Sequence, residues 1–137
     1  TDEVQDWQPE PAEWSFRLIA AHLVTVERDC YVPRVVRIAS GENPHFSRYA
    51  NFGVDLQCGD LRDSLELWQA ERDSLLDYVV SLPDDALRRT GTHEIYGTIT
   101  AVDALNELVE HDRRQFRHVE QLIEDYLDEV NDGTSNV

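Results

Sequence analysis

Between Thr100 and Val130 the chain sets Leu105, Leu108, Asp112, Phe116, Val119, Ile123 and Tyr126 along one side of a single helix. A helix of some thirty residues is about 45 Å long, and it cannot bury such a stripe against itself. It needs partners of similar length. Two other segments supply them. From about Ala12 to Ala39, Ser15, Leu18, Ile19, His22, Val26, Cys30 and Pro33 share one face, with Pro11 in a first-turn position. From about Leu61 to Leu82, Leu61, Leu65, Trp68, Leu75, Leu76 and Val79 form a second stripe, ended by Pro83. No segment has a convincing strand period, and there is no internal repeat. The expected class is all-α, an antiparallel up-down helical bundle in one domain spanning residues 1–137.

The punctuation between these runs is specific. Pro33 predicts a kink in the last turns of the first helix. Residues Ser40 to Asp60, rich in polar residues, Gly and Pro, read as a connection, and residues 83–97 as a loop with at most one helical turn. Thr100 with Asp103 three residues on predicts reciprocal capping at the start of the third helix, Asp standing where Glu or Gln is usual. Residues 1–10 read as a lead-in, and residues 131–137 as a fraying tail.

Charge narrows the function. The 28 acids outnumber the 12 bases, all of them arginine, for a net charge of −16. Nucleic-acid binding rests on neutralising phosphates with cations, so this balance argues against it, and equally against an anionic membrane surface. No apolar run approaches the roughly 20 residues of a membrane span, and no signal peptide is visible. Cys30 and Cys58 form no paired motif, which makes a reduced, cytoplasmic protein the expectation. Cys30 faces the core as a small apolar filler, whereas Cys58, His45 and His93 fall in loops, the two histidines reading as solvated.

The inward polar residues carry the chemistry. His22 lies near the centre of its helix's apolar face, between Leu18 and Val26, where an unpaired ring would cost roughly 1–3 kcal/mol. His111, Gln115 and His118 fall within about 60° of one another on the third helix. A single inward histidine is more often a hydrogen-bonded structural residue than a ligand. Two on separate helices favour a shared site, because bundle metal centres are assembled that way. Asp112 falls near the middle of the third helix's arc and Arg72 in the middle of the second helix's stripe. A structural Arg72–Asp112 ion pair is the favoured reading. The sharper one gives Asp112 a role beside the site, orienting a ligand or moving protons.

The segment EWSFRLIAAHLVTVERD resembles the Trp-Ser…His-Leu…Glu-Arg helix of the DinB superfamily of metal-binding four-helix bundles. The run from LWQAERDSLL through the Leu-Pro turn, the His…Tyr-Gly-x-Ile-Thr lead-in and the final His-Asp-bearing helix is similar to the rest of that family's pattern. The likeness covers about Glu10 to Leu122. It implies a divalent metal, zinc or nickel, held by one histidine of the Trp-Ser helix and two of the last helix, four residues apart. By residue these are His22, His111 and Gln115. Gln at the third position offers a neutral amide oxygen, a poorer ligand than imidazole, so a weakened or empty site is expected. His118, about 10.5 Å along the axis from His111, is awkwardly placed to replace it.

The resemblance further implies a metal-dependent enzyme of transferase, isomerase or hydrolase type acting with a small molecule or a low-molecular-weight thiol. The alternative is a non-catalytic bundle serving as a small-ligand-binding or stress-related dimeric scaffold. The family pattern has one more helix before the Trp-Ser segment, and the chain starts at Thr1 without a Met. A missing upstream segment, or a homodimer in which a partner helix completes the bundle, is therefore expected.

Overall fold

A computed structural model describes residues 1–49 and 59–135. The chain begins with a short helix α1 (Asp2–Gln5) and then builds the first long helix as α2 (Phe16–Val26), a π-helical turn (Glu27–Tyr31) and α3 (Val32–Ala39). A two-residue strand β1 (His45–Phe46) follows. Then come α4 (Leu61–Ser81), a 3-10 turn (Asp84–Arg88), a hairpin of β2 (Thr90–His93) and β3 (Gly97–Thr100), and α5 (Ala101–Ser135). The molecule is predominantly helical, but a three-stranded sheet in the order β1-β2-β3 corrects the expectation of an all-α chain. β1 runs parallel to β2, and β2 antiparallel to β3.

These strands are too short, and their apolar residues too few, for a period of two to be read from sequence. The hairpin had a local signal nevertheless. Gly97 adopts φ +72° at the end of a three-residue turn, a conformation that glycine takes without steric cost. Gly91 is required for another reason: a Cβ there would stand 3.0 Å from the Pro44 carbonyl oxygen and 3.1 Å from the Ile38 side chain. The sheet thus closes tightly over α3.

Helix boundaries follow their caps. The first long helix starts at Phe16 rather than Ala12, because Ser15 is the N-cap, its hydroxyl accepting from the Leu18 N–H at 3.2 Å. The Asp60 carboxylate caps α4, accepting from the Arg62 N–H at 2.9 Å. At α5 the Thr100 N–H donates to Asp103 at 2.8 Å while the Asp103 N–H donates to the Thr100 hydroxyl at 3.1 Å, the reciprocal pair the spacing predicts. α5 runs on to Ser135 past the predicted end near Val130, since each added residue gains one more helical hydrogen bond. The π-helical turn ends two residues before Pro33. In a regular α-helix the proline would leave the Asp29 carbonyl without its N–H and crowd it with its ring; one extra residue in the turn relieves both.

Residues 1–10 are docked rather than merely leading in. The Gln5 side chain accepts from the Leu61 N–H at 2.9 Å and donates to Asp60 at 3.1 Å. Arg17 donates to Asp6 at 2.7 Å. Trp7 donates to Glu129 and packs edge-on against Tyr126 at 5.4 Å.

The interior forms two clusters. The larger joins Val26, Tyr31, Val35 and Ile38 to Leu75, Ala104 and Leu108; the smaller joins Ile19 and Leu23 to Leu122. On α5 the buried line is Ala101, Ala104, Leu108, His111 and Leu122. That line is rotated by about one residue from the arc predicted from sequence. The apolar arc of α5 is wider than the face this chain covers. Val102, Val109, Phe116, Ile123 and Val130 recur every seven residues and stay 41–53% exposed. Leu65 and Leu76 of α4, predicted on the inner stripe, are likewise exposed.

Candidate metal centre

His22 stands between Ile19 and Val26 on α2, and His111 between Leu108 and Leu122 on α5, so the two rings meet at the seam of the two apolar clusters. Their Nε2 atoms are 3.3 Å apart. Two nitrogens each about 2.1 Å from one ion, at a tetrahedral angle, would be separated by about 3.4 Å. That spacing is compatible with a shared cation and equally with an Nε2–H···Nε2 hydrogen bond between the two rings. Aromatic rings hold it in place: Trp14 packs edge-on against His22 at 4.7 Å and Tyr31 lies at 5.4 Å from His111.

Burial sets the protonation states. It is the main cause that lowers His22 to about 4, followed by the positive potentials of His111 and His118. His111 is lowered as well, by burial first and then by Arg114, with Asp112 opposing. Both rings are therefore neutral at physiological pH, the form in which imidazole ligates. Burial also pushes the Tyr31 phenol up to about 12 and raises the Cys30 thiol.

Gln115 is the third residue of the set. It lines the same cavity as His22 and His111, and its side-chain oxygen is buried with no hydrogen-bond partner among the described residues. A buried acceptor left unsatisfied costs about 1–3 kcal/mol. Two neutral imidazoles and an orphaned amide oxygen fit a divalent cation, with the oxygen as the weakest of the three. No three His, Cys, Asp or Glu side chains converge on one point among the described residues; the third donor here is an amide. His118 turns away. It is exposed, faces Trp14 at 6.4 Å, and lines a separate cavity with Leu122 and Asp125.

Next to His111, Asp112 belongs to a different assembly. Arg72 donates to both Asp112 oxygens at 2.9 and 3.1 Å and to both Glu27 oxygens at 2.7 and 3.0 Å. Its guanidinium also covers the Trp68 ring at 5.3 Å. Burial alone would lower the Arg72 pKa, but the bonds to Glu27 and Asp112 outweigh it and the net shift is upward. The ion pair predicted between Arg72 and Asp112 is one arm of a three-residue bridge across α4, α5 and the π-helical turn. Glu27, 1% exposed, is the arm that the sequence reading missed.

Two further residues were missed. His93, expected in a solvated loop, is 3% exposed on β2, and Arg34 of α3 is 9% exposed beside it. Both line the cavity that holds His22 and His111. Arg34 escapes a regular helical wheel because the π-helical turn advances the chain by one residue, bringing Arg34 to the inner position assigned to Pro33. His45 is exposed, though on a strand rather than in a loop. Cys58 lies outside the described residues. Among those residues no helix is long and apolar enough to cross a membrane.

The fold is a helical bundle with a buried histidine pair at the junction of its two apolar clusters. The chain belongs to the DinB superfamily, whose family model matches residues 1–129. No curated protein matches it. Among solved structures it is similar to YfiT from Bacillus subtilis, described as a probable metal-dependent hydrolase with an unusual four-helix bundle topology. The two share 24% identity at a TM-score of 0.73, over 89% of this chain and 72% of that one. At that identity the likeness speaks for the fold.

Proposed function

We propose that the protein is a metal-dependent enzyme of DinB type in which His22, His111 and Gln115 hold a divalent cation, zinc or nickel, more weakly than three histidines would. The observation that carries this reading is the His22–His111 Nε2 separation of 3.3 Å beside the orphaned Gln115 oxygen. When bound, such a cation supplies Lewis acidity that keeps a thiol or a water deprotonated near neutral pH. The chain's own residues do the rest. Burial keeps both imidazoles neutral, Trp14 and Tyr31 fix their ring planes, and the Arg72 bridge anchors α5 at the residue after His111. The cavity of about 320 Å³ suits a small-molecule substrate. A low-molecular-weight thiol is the co-substrate proposed, with S-transfer or isomerisation as the reaction and the cytoplasm as the compartment. Hydrolysis, the activity proposed for YfiT, is the competing outcome. Protein purified without an affinity tag is to be analysed for metal and assayed for thiol-dependent and hydrolytic turnover. His111→Ala should abolish both metal content and turnover; turnover that survives it would refute the reading.

A non-catalytic scaffold is the second reading, favoured by Gln115, and it predicts no turnover with any metal. For assembly we propose a homodimer. The exposed stripe of Val102, Val109, Phe116, Ile123 and Val130 has the seven-residue repeat of a helix-pairing seam. Sedimentation should give twice the 15.8 kDa chain mass. Phe116→Glu should yield monomer, and a parent chain that is already monomeric would remove the proposal.

A further inference from the structure

We infer that the cavity beside His22 and His111 is built for a small anionic substrate, with Arg34 and the Nε2–H of His93 as innermost donors for its carboxylate or phosphate and Arg114 lining the same space. The inference deepens the functional reading above and rests on that cavity being the working site.

The first observation is charge. The chain carries −16 overall, yet Arg34, Arg48 and Arg114 line this cavity against a single acid, Glu107, among the described residues. An acidic protein that gathers three guanidinium groups in one hollow attracts anions there and repels them elsewhere.

The second is the state of Arg34. Its fellow buried arginine, Arg72, has two carboxylates and four hydrogen bonds. Arg34 is more buried, yet no carboxylate pairs with it among the described residues. Beside it stand the Phe46 ring at 5.8 Å and the His93 ring, whose Nε2 is 3.3 Å from Nη2. A guanidinium this little exposed, with no carboxylate beside it, keeps N–H donors at the cavity wall for an oxygen acceptor.

The third observation shows that His93 does not supply that acceptor. Its Nδ1 accepts from the Ile95 N–H at 3.0 Å and from the Tyr96 N–H at 3.3 Å. A neutral imidazole that accepts at Nδ1 carries its proton on Nε2. Arg34 and His93 then face each other donor to donor. Protonating the ring would add a charge beside a guanidinium, and burial and Arg34 both lower the His93 pKa. An oxyanion seated between them would satisfy both donors at once. The planar Arg34 fork suits a carboxylate in particular. About 320 Å³ admits a molecule of metabolite size.

The test is calorimetric titration of the full chain with succinate, and separately with inorganic phosphate, at constant ionic strength with a chelator present. Saturable binding of at least one is expected. Arg34→Gln should weaken it roughly 10- to 100-fold, the worth of hydrogen bonds to a charged group. Arg114→Gln, on an exposed position that tolerates change, should weaken it several-fold. Arg117→Gln, on the same helix but outside the cavity, should bind as the parent does. Binding of phosphate alone would identify a phosphoryl group as the anion, and binding of succinate a carboxylate. Absence of saturable binding, or binding that Arg34→Gln and Arg114→Gln leave unchanged, overturns the inference. A zinc titration of the same protein separates the two ideas: zinc bound without anion leaves the metal reading standing, and anion bound without zinc leaves this one.

Discussion

Two polar assemblies cross the helices of this protein from adjacent residues of α5, and they are finished to different degrees. At Asp112 every oxygen and nitrogen finds a partner. Arg72 is shared bidentately by Glu27 and Asp112, and the bridge is dry on the Glu27 side. At His111 the polar groups are also buried, and one of them, the Gln115 oxygen, is left unsatisfied. The two Nε2 atoms face each other at 3.3 Å, and the Gln115 oxygen has no partner among the described residues. A closed bridge fixes helices in register. A buried open set costs stability and is retained where something binds.

The largest expected effect lies in the closed assembly. Arg72→Ala strands Glu27 and Asp112 without a cation and should cost about 3–5 kcal/mol, read as the shift in a urea unfolding midpoint. A loss under about 1 kcal/mol would mean the bridge is a surface ion pair of ordinary worth, and the comparison would fail at its first term.

The open assembly should respond to pH instead. In metal-free protein an unfolded His22 takes up a proton near 6.5, whereas the folded ring does so only near 4. The unfolded chain therefore binds more protons across that interval, and stability falls as pH drops through it. It is unaffected by this group above pH 6.5 and falls no further below pH 4. His111 acts in the same direction. The loss for His22 should be about 2 kcal/mol, less than the full linkage value because the cavity admits solvent. His22→Phe should flatten the profile measured with chelator present.

The smallest effect has the opposite sign. Gln115→Leu replaces an unsatisfied oxygen with apolar volume, and in metal-free protein it should be neutral or stabilising by about 1 kcal/mol. A clear destabilisation would show that the oxygen is satisfied in solution.

The sequence made one half of this contrast legible and hid much of the other. His22, His111 and Gln115 could be found because each lies on a regular helical stretch where 100° per residue holds, and because the family pattern names their positions. Arg72 and Asp112 were legible for the same reason, as charges on apolar stripes. Glu27 and Arg34 were not. They lie on either side of Pro33, in or just after the π-helical turn, where a wheel drawn through a continuous α-helix assigns the wrong faces. His93 was lost because the hairpin that buries it is four residues a side and has no apolar alternation. Gly97 and Gly91 were the available clues, one to the turn and the other to the close approach of Pro44 and Ile38. Phe116 and Ile123 failed differently. They satisfy the helical period, but the period does not say which part of a wide apolar arc this chain itself covers.

The central claim is that the open set is a cation site limited by its third donor. Calorimetric titration with zinc and nickel of the parent, Gln115→His, and Gln115→His combined with His22→Ala tests it most directly. Imidazole in place of the amide oxygen should tighten binding at least about tenfold, with a matching rise in Tm in the presence of metal, and the added His22→Ala should abolish the gain. Equal affinity in the parent and Gln115→His, or a gain that survives the loss of His22, would contradict the account. It would leave His22 and His111 as a hydrogen-bonded pair in the core.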